Sequence, residues 1–161
     1  MPSAARRPTL IEERNTSMTE SLLDGDAQEI MRLHREFVDA NGPLDSRYLR
    51  RRVTAIPDEL VWYNLNGAVY VGQDHIAQLW DMLSSAMGGE AISGELRDER
   101  IEVVGDVAWV TYLNHYQADF GDLGNYNAGM RSTEIWRRRE GNWELVHAHF
   151  SAHAPDATGE R

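Results

Sequence analysis

Apolar residues spaced three and four positions apart predict two amphipathic helices in the first half of the chain. In the segment SLLDGDAQEIMRLHREFVDA this spacing marks one face of a helix, which Asn41-Gly42-Pro43 end. A second stripe of the same spacing lies in QDHIAQLWDMLSSAMGG and ends at Gly88-Gly89. Between the two, LDSRYLRRRV is expected to form a short helical turn that ends before Pro57.

The other segments have the composition and alternation of strands. LVWYNLNGAVYVG predicts a hairpin with its turn at Asn66-Gly67, and ELRDERIEVVG, VAWVTYLNHYQADF, NAGMRSTEIWRRR and GNWELVHAHFSAH predict a long antiparallel meander. This order of elements predicts an α+β domain with helices on one face of a curved sheet. Two helices cannot cover a large sheet, so we expect a pocket in the uncovered part of the concave face and a partner on the convex face.

The length of 161 residues predicts a single domain, which we place at residues 18–155. Residues 1–17 and 156–161 are too polar to pack and are expected to form a flexible N-terminal extension and a flexible tail. The N-terminal residues have charges and a proline where a secretory signal or a membrane span would need an apolar run.

The charge balance narrows the choice of partners. The chain has 16 Lys and Arg against 26 Asp and Glu, a formal net charge of −10, which argues against nucleic acid or an anionic membrane as a partner. The absence of cysteine from the sequence excludes thiol catalysis, disulfides and thiolate metal sites. We expect a cytoplasmic protein.

The last hairpin, RSTEIWRRREGNWELVHAHFSAH, resembles that of the nuclear-transport-factor-2-like superfamily. Within the superfamily it most resembles SnoaL-like proteins and the association domain of calcium/calmodulin-dependent kinase II. The residues that match their last hairpin are Trp136, basic residues 137–139, Glu140-Gly141, Trp143 and a His-x-His-x-Ser ending. VGQDHIAQLW likewise resembles the family's glycine-led entry into its second long helix. The resemblance covers roughly residues 20–155 and implies a cone-shaped, curved antiparallel sheet with helices packed on its concave face. This fold hosts enzymes, carriers and oligomerisation domains, so it does not define a function.

Candidate site residues follow from alternation and from the resemblance. If the last strand is regular, the face that carries Trp143 and Leu145 also carries two imidazoles and a hydroxyl. The resemblance implies that this face points into the cone. Its polar residues are His147, His149 and Ser151. By the same analogy, the expected pocket side of the other strands carries Tyr112, Asn114, Tyr116, Arg131, Thr133 and, on the first hairpin, Trp62.

These side chains have chemistry suited to proton transfer. In the catalytic interpretation His149 is the base, Tyr112 or Tyr116 donates a hydrogen bond to a developing oxyanion, and the remaining candidates bind the substrate, with Arg131 holding a carboxylate. In the alternative interpretation both histidines are structural and the tyrosines are core rings with satisfied hydroxyls. The His-x-His pair lacks a third ligand nearby, so we predict no metal site. The resemblance implies that no cofactor is needed, because the acid–base members of this fold work with side chains alone.

Two classes of function remain open on the sequence. One is a cofactor-independent enzyme, an isomerase, cyclase, hydratase or lyase, acting on a small molecule. The other is a non-catalytic ligand-binding or oligomerisation domain. Metal-free carbonic anhydrase activity ranks below both, because Ala148 and Phe150 interrupt the His/Ser run of such enzymes. A homodimer through the convex face is expected, because Val107, Trp109, Thr111 and Leu113 point to one side.

Overall fold

The computed structural model describes residues 10–88, 92–93 and 96–152. Within them lie three helices and one 3-10 turn: α1 Leu10–Asn41, α2 Ser46–Arg52, α3 Gln73–Ala86 and Gly121–Leu123. The strands are β1 Val61–Tyr63, β2 Val69–Val71, β3 Ile92–Ser93, β4 Arg97–Val104, β5 Val107–Asp119, β6 Asn125–Arg139 and β7 Asn142–Ala152. The predicted order of elements is confirmed.

Helix α1 starts earlier than predicted, at Leu10, so residues 10–17 of the expected flexible extension are helical. Residues 1–9 and the tail 156–161 lie outside the described residues. The proposed bounds of the domain therefore stay a prediction. None of the described helices is both long and apolar enough to cross a bilayer.

The described strands form one curved sheet in the order β2-β1-β7-β6-β5-β3, with β4 also paired to β5. Its pairs are antiparallel except β1 with β7, which run parallel, so the sheet is mixed and not purely antiparallel as predicted. A long stretch of chain separates β1 from β7, so no hairpin turn sets their relative direction.

The helices pack on one face of this sheet, and that face is the core side. The buried even-numbered residues of β5 lie on it, from Ala108 to Ala118. Four aromatic rings join the helices to the strands: Phe37 of α1 lies 5.8 Å from Trp62 and 6.2 Å from Phe150 between ring centroids. Trp80 of α3 lies 5.9 Å from Trp62. Aromatic rings bury a large apolar area each, so these contacts contribute strongly to the core.

A β-bulge in the last hairpin sets which side chains of β7 reach the core. Trp136 pairs with Leu145, whereas the preceding Ile135 pairs with His147, so Val146 is an extra residue on β7. Leu145 and Val146 are both buried, and beyond the bulge the buried positions are Ala148 and Phe150. Because successive side chains on a strand point to opposite faces, one inserted residue moves every later residue to the other face.

Candidate functional site

A cavity of about 310 Å³ lies between the sheet and the ends of helices α1 and α3. Its walls are mainly apolar and include Leu79, Trp80, Leu83, Phe120, Met130 and Phe150. Leu79, Trp80 and Leu83 lie on α3 at positions i, i+1 and i+4, so the predicted apolar stripe of this helix forms one wall. The cavity is therefore a continuation of the core that the side chains do not fill.

Two loops border the cavity. The β1–β2 turn contributes Asn64 to Asn66, and the segment after β5 contributes Phe120 and Leu123. This second loop is closed on itself, because the Phe120 amide donates to the carbonyl of Gly124 at 3.0 Å and the Gly124 amide donates to the carbonyl of Gly121 at 2.9 Å. Gly124 has a φ of 100°, a conformation that glycine adopts without steric cost.

The polar groups of the cavity are amides and hydroxyls. Four asparagines and two tyrosines line it: Asn41, Asn64, Asn66, Asn125, Tyr116 and Tyr126. The Tyr116 hydroxyl donates to the carbonyl oxygen of Gly42 at 3.2 Å, whereas the buried hydroxyl of Tyr126 has no hydrogen-bond partner. Burial raises the pKa of Tyr116 to about 12 and also raises the pKa of Tyr126. Both hydroxyls are therefore protonated near neutral pH.

No aspartate, glutamate, histidine, lysine or arginine is among the described residues that line this cavity. The two tyrosines are its only titratable lining groups, and their raised pKa makes them weak acids. General acid–base catalysis near neutral pH works best with a group whose pKa lies near the working pH. The lining is therefore suited to binding an uncharged molecule.

Some predicted site residues lie on the core side of the sheet. Tyr112, Asn114 and Tyr116 are buried there, but only Tyr116 lines the cavity. Asn114 lies deeper and accepts a hydrogen bond from Ser132 at 3.0 Å. Trp62 is a core residue whose ring nitrogen donates to the side chain of Asn64 at 3.4 Å. A catalytic role for the tyrosines stays a prediction.

The prediction that Arg131 and Thr133 face the pocket is wrong. In the β5–β6 ladder Tyr112 pairs with Ser132, so the even-numbered residues of β6 share the core side with Tyr112. Arg131 is exposed and pairs with Leu113, which the sequence already placed on the opposite side. The pairing register of β5 with β6 decides which residues of β6 face the core, and the sequence of β6 alone does not contain that register.

The pocket placement of His147, His149 and Ser151 is also wrong, and the bulge at Val146 is the cause. A regular strand would put these residues on the side of Leu145, but the extra residue turns them to the opposite face. His149 is exposed and pairs with Thr133. It cannot act as a base on a molecule bound in the cavity, because the sheet lies between them.

These residues belong to a second surface, which we call the outer face. It consists of the odd-numbered residues 107–113 of β5, 131–137 of β6 and 147–151 of β7, together with Tyr63 of β1. The Tyr63 ring lies edge-on to His147 and His149, with centroids 5.4 and 5.7 Å apart. Partial burial lowers the pKa of His147, and the neighbouring His149 lowers it as well. A hydrogen bond with the backbone of Val61 has the opposite effect but does not outweigh them.

Sequence reasoning missed a polar cluster in the core. His34 of α1 and Glu134 of β6 are fully buried, and the Nδ1 of His34 lies 2.9 Å from Oε1 of Glu134. On its other side, Nε2 of His34 lies 3.2 Å from Oε1 of Glu99, whose second oxygen accepts from Arg35 at 2.8 Å. The contact with Glu99 lacks hydrogen-bond geometry, because neither Nε2 of His34 nor Oε1 of Glu99 has a hydrogen-bond partner.

Two aromatic residues close this cluster. The indole of Trp136 donates to Oε2 of Glu134 at 3.1 Å, and the ring of Tyr112 lies edge-on to His34 at 4.6 Å. Burial, followed by the Glu134 carboxylate, raises the pKa of Tyr112 well above its usual value.

The sequence contains one signal of this cluster, because His34 follows Leu33 in the apolar stripe of α1. Neither His34 nor Glu134 lines the cavity. Among the described residues, no group of three or more His, Asp or Glu is placed to hold a metal ion.

Solved structures with the same architecture define the class of protein. An NTF2-like protein of unknown function from Pseudomonas putida is 22% identical, with a TM-score of 0.69 over 85% of this chain and 93% of its own. An NTF2-like protein from Streptomyces avermitilis, proposed to be a dehydratase, is 18% identical, with a TM-score of 0.69 over 81% of this chain and 98% of its own. The association domain of calcium/calmodulin-dependent kinase II from C. elegans is 18% identical, with a TM-score of 0.62 over 81% and 98%. At these identities the likeness establishes the nuclear-transport-factor-2-like fold alone.

The family follows from the sequence itself. The model of the SnoaL-like domain matches residues 65–155, which is more than half of the chain. The chain therefore belongs to the SnoaL-like family, as the last hairpin predicted. Among curated proteins none matches the sequence.

Proposed function

We propose that the protein binds an uncharged, mainly apolar small molecule in the cavity between α3 and the sheet. The observation that carries this proposal is the cavity itself, about 310 Å³ with aromatic and aliphatic walls. An apolar cavity of about 150 Å³ holds one benzene molecule. A cavity about twice that volume accommodates two fused rings.

Binding without turnover is favoured over a cofactor-independent isomerase, cyclase, hydratase or lyase. Each of these reactions needs a proton donor or acceptor at the ligand, and the described lining offers only tyrosines with raised pKa values. Carbon dioxide hydration of the carbonic anhydrase type needs a proton acceptor as well. The relative proposed to be a dehydratase shares the fold at 18% identity, which does not transfer its activity.

Filling the cavity tests this proposal. In Leu83→Trp the indole would occupy the space between α3 and β6, and binding of the bicyclic hydrocarbon tetralin should be lost. At a tetralin concentration a hundredfold above Kd, the unmodified protein should gain about 2.7 kcal/mol, a rise in Tm of roughly 5–10 °C by differential scanning fluorimetry.

The matched control is Ile56→Trp, which adds the same ring at a 45% exposed position away from this cavity. This variant should keep the full tetralin shift. Equal shifts in Leu83→Trp and in the unmodified protein would mean that tetralin binds elsewhere, and the cavity would then lose its proposed role.

A second function, homodimerisation through the outer face, is favoured by the side chains on that face. Trp109, Leu113 and Ile135 are only partly buried although they lie in the middle of the sheet. Nearby, Tyr63 is 43% and Val104 is 62% exposed. Incompletely buried aromatic and aliphatic side chains on a sheet face mark association sites, and a two-fold axis lets one patch serve both copies. The similar fold of a kinase association domain agrees with this role.

A charge placed in this patch tests the dimer. Trp109→Arg should convert the protein to a monomer in sedimentation velocity at micromolar concentration, because desolvating a guanidinium in the interface opposes association. Ile56→Arg introduces the same charge at an exposed apolar position off the outer face and should leave the dimer intact. A monomeric unmodified protein at these concentrations would refute this second function.

A further inference from the structure

We infer that the ligand of the cavity is elongated: a ring system inside the cavity carries a neutral alkyl chain that leaves through the opening and lies on Met82 and Leu123. This inference rests on the proposed function, because it describes the shape of that same ligand. It adds what the volume of the cavity leaves open, namely the direction in which the molecule extends and the residues that bind its outer part.

The opening of the cavity is identified by lining residues that are also exposed to solvent. Met82 of α3 and Leu123 of the 3-10 turn both line the cavity, and they are 51% and 56% exposed. Met130 and Phe150 line it as well but are buried. Met82 and Leu123 therefore lie where the cavity meets solvent, whereas Met130 and Phe150 lie inside it.

The two apolar side chains of the opening belong to elements that contact each other. The 3-10 turn packs on α3. The amide of Gly88, just after α3, donates to the carbonyl oxygen of Asp119 at 3.0 Å, which fixes the end of the helix to the end of β5, where the turn begins. Met82 and Leu123 therefore lie on the same side of the opening, and we call them the apolar rim.

The apolar rim differs from the other exposed apolar residues in its position. In the described part of the chain, the other large exposed apolar side chains do not line the cavity: Ile56, Tyr63, Val69, Val71 and Val104. Isolated side chains of this kind are common on protein surfaces. The apolar rim, in contrast, continues the walls of an apolar cavity. Removing its surface from water is favourable, so a ligand that covers both the walls and the rim gains affinity.

The charges near the opening disfavour an anionic chain end. Asp119 and Asp122 lie in the segment that carries Leu123, and the last turn of α3 has no basic residue. No cationic side chain is among the described residues that line the cavity. A carboxylate at the end of the chain would therefore meet like charge without a partner. A neutral alkyl chain fits this opening better than the chain of a fatty acid.

Probes with one ring system and different substituents test the chain by isothermal titration calorimetry: tetralin, 6-butyltetralin and the analogue whose butyl group ends in a carboxylate. The ratio of the tetralin Kd to the butyltetralin Kd isolates the contribution of the chain. Four carbons partly covered by the rim should give a ratio of about 10–30 in the unmodified protein. In the double variant Met82→Ser, Leu123→Ser this ratio should fall by about three- to tenfold. The carboxylate analogue should bind more weakly than butyltetralin.

The double variant Ile56→Ser, Val71→Ser is the matched control, because it removes two exposed apolar side chains that do not line the cavity. Its Kd ratio should equal that of the unmodified protein. The variant of the apolar rim should keep a Tm close to that of the unmodified protein, since both replaced side chains are largely exposed.

The two methionines that line the cavity give a second measurement, on the unmodified protein. Met82 lies at the opening and Met130 lies inside, so their methyl groups report opposite directions of the chain. With carbon-13 in the methionine methyl groups, nuclear Overhauser effects from the terminal methyl of bound butyltetralin should reach Met82 and not Met130.

The outcomes distinguish the inference from the function on which it rests. Tetralin binding with a Kd ratio near one, or a ratio unchanged in Met82→Ser, Leu123→Ser, would overturn the inference and leave the cavity as a binding site. Overhauser effects to Met130 alone would place the chain inside and likewise overturn it, as would tighter binding of the carboxylate analogue than of butyltetralin. Failure of all three probes to bind the unmodified protein would overturn the proposed function itself.

Discussion

His34 and Glu134 show what the core demands of single residues. Both side chains are fully buried, and the carboxylate of Glu134 receives its contacts from His34 and from the indole of Trp136. A buried ionisable pair contributes little net stability compared with apolar residues, but removing one partner leaves the other without compensation. Replacing either residue alone is therefore expected to lower the stability of the fold strongly.

We predict that Glu134→Ala lowers the free energy of unfolding by about 3–5 kcal/mol, because it leaves His34 and Trp136 without their acceptor and opens a cavity. Arg32→Ala, which removes the exposed pairs with Glu29 and Glu36, should cost less than about 1 kcal/mol. Denaturant unfolding monitored by tryptophan fluorescence measures both values. Similar losses of unfolding free energy in the two variants would show that the buried pair contributes no more to stability than the exposed pairs.

The alternation of the sequence predicted which residues of β5 face the core, but not which residues of distant elements pack together. Tyr112, Asn114 and Tyr116 were placed on the correct face because β5 is a regular strand of alternating burial. His34 and Glu134 were overlooked, because the packing that brings α1 against β6 joins residues a hundred positions apart. Tyr126 was overlooked too, since its neighbours in the sequence are typical of a loop. Neither the contact of His34 with Glu134 nor the position of Tyr126 can be recognised from nearby residues in the sequence.

At the scale of elements, helices and strands were predictable because their periods of 3.6 and 2 residues are visible in the apolar pattern. The direction of β1 relative to β7 and the irregularity at Val146 were not. A bulge is one extra residue in a ladder, and only the pairing of Ile135 with His147 and of Trp136 with Leu145 reveals it. The face of the whole strand end depends on that one residue.

Two single-residue deletions test this account of β7. Deleting Val146 should restore regular alternation and keep Phe150 in the core, at a cost of about 1–3 kcal/mol for one lost apolar side chain. Deleting Ala148, beyond the bulge, should move Phe150 to the outer face and away from the Trp62 ring, now 5.5 Å distant.

The second deletion should therefore prevent stable folding. Circular dichroism and the Tm of each purified variant measure the difference. If the protein tolerates loss of Ala148 as well as loss of Val146, the register of β7 is not fixed by the core contacts described above.

At the scale of the whole molecule, the two proposed sites lie on opposite sides of the sheet, so a dimer through the outer face leaves the cavity free. The outer face also carries His147 and His149 beside Tyr63. The exposed Arg131 lies on it as well and already contributes positive charge. Protonation of His147 would add like charge to a surface that has to be desolvated on association.

We predict that the dimer weakens as the pH falls. Burial already lowers the pKa of His147 in the single chain, and the further burial of an interface would lower it more. A group whose pKa falls on association stabilises the dimer above its pKa in the monomer, and this stabilisation is lost as the pH falls through its pKa in the dimer. Sedimentation at pH 7.5 and pH 5.5 should show a larger monomer fraction at the lower pH.

The double variant His147→Gln, His149→Gln should lose most of this pH dependence while remaining a dimer at pH 7.5. The glutamines keep polar side chains at both positions but do not titrate. A dimer of unchanged strength at pH 5.5 in the unmodified protein would show that the histidines do not lie in the interface.

Odd-numbered and even-numbered residues of the long strands lie on opposite faces, and this separation affects how such a protein can diverge in sequence. In the central parts of β5 and β6 and at the end of β7, even-numbered residues lie on the core side, and the odd-numbered residues 107–113, 131–137 and 147–151 form the outer face. Substitutions that change the bound molecule and substitutions that change the assembly therefore fall on separate, interleaved sets of codons. Selection can alter one property while the contacts that support the other stay in place.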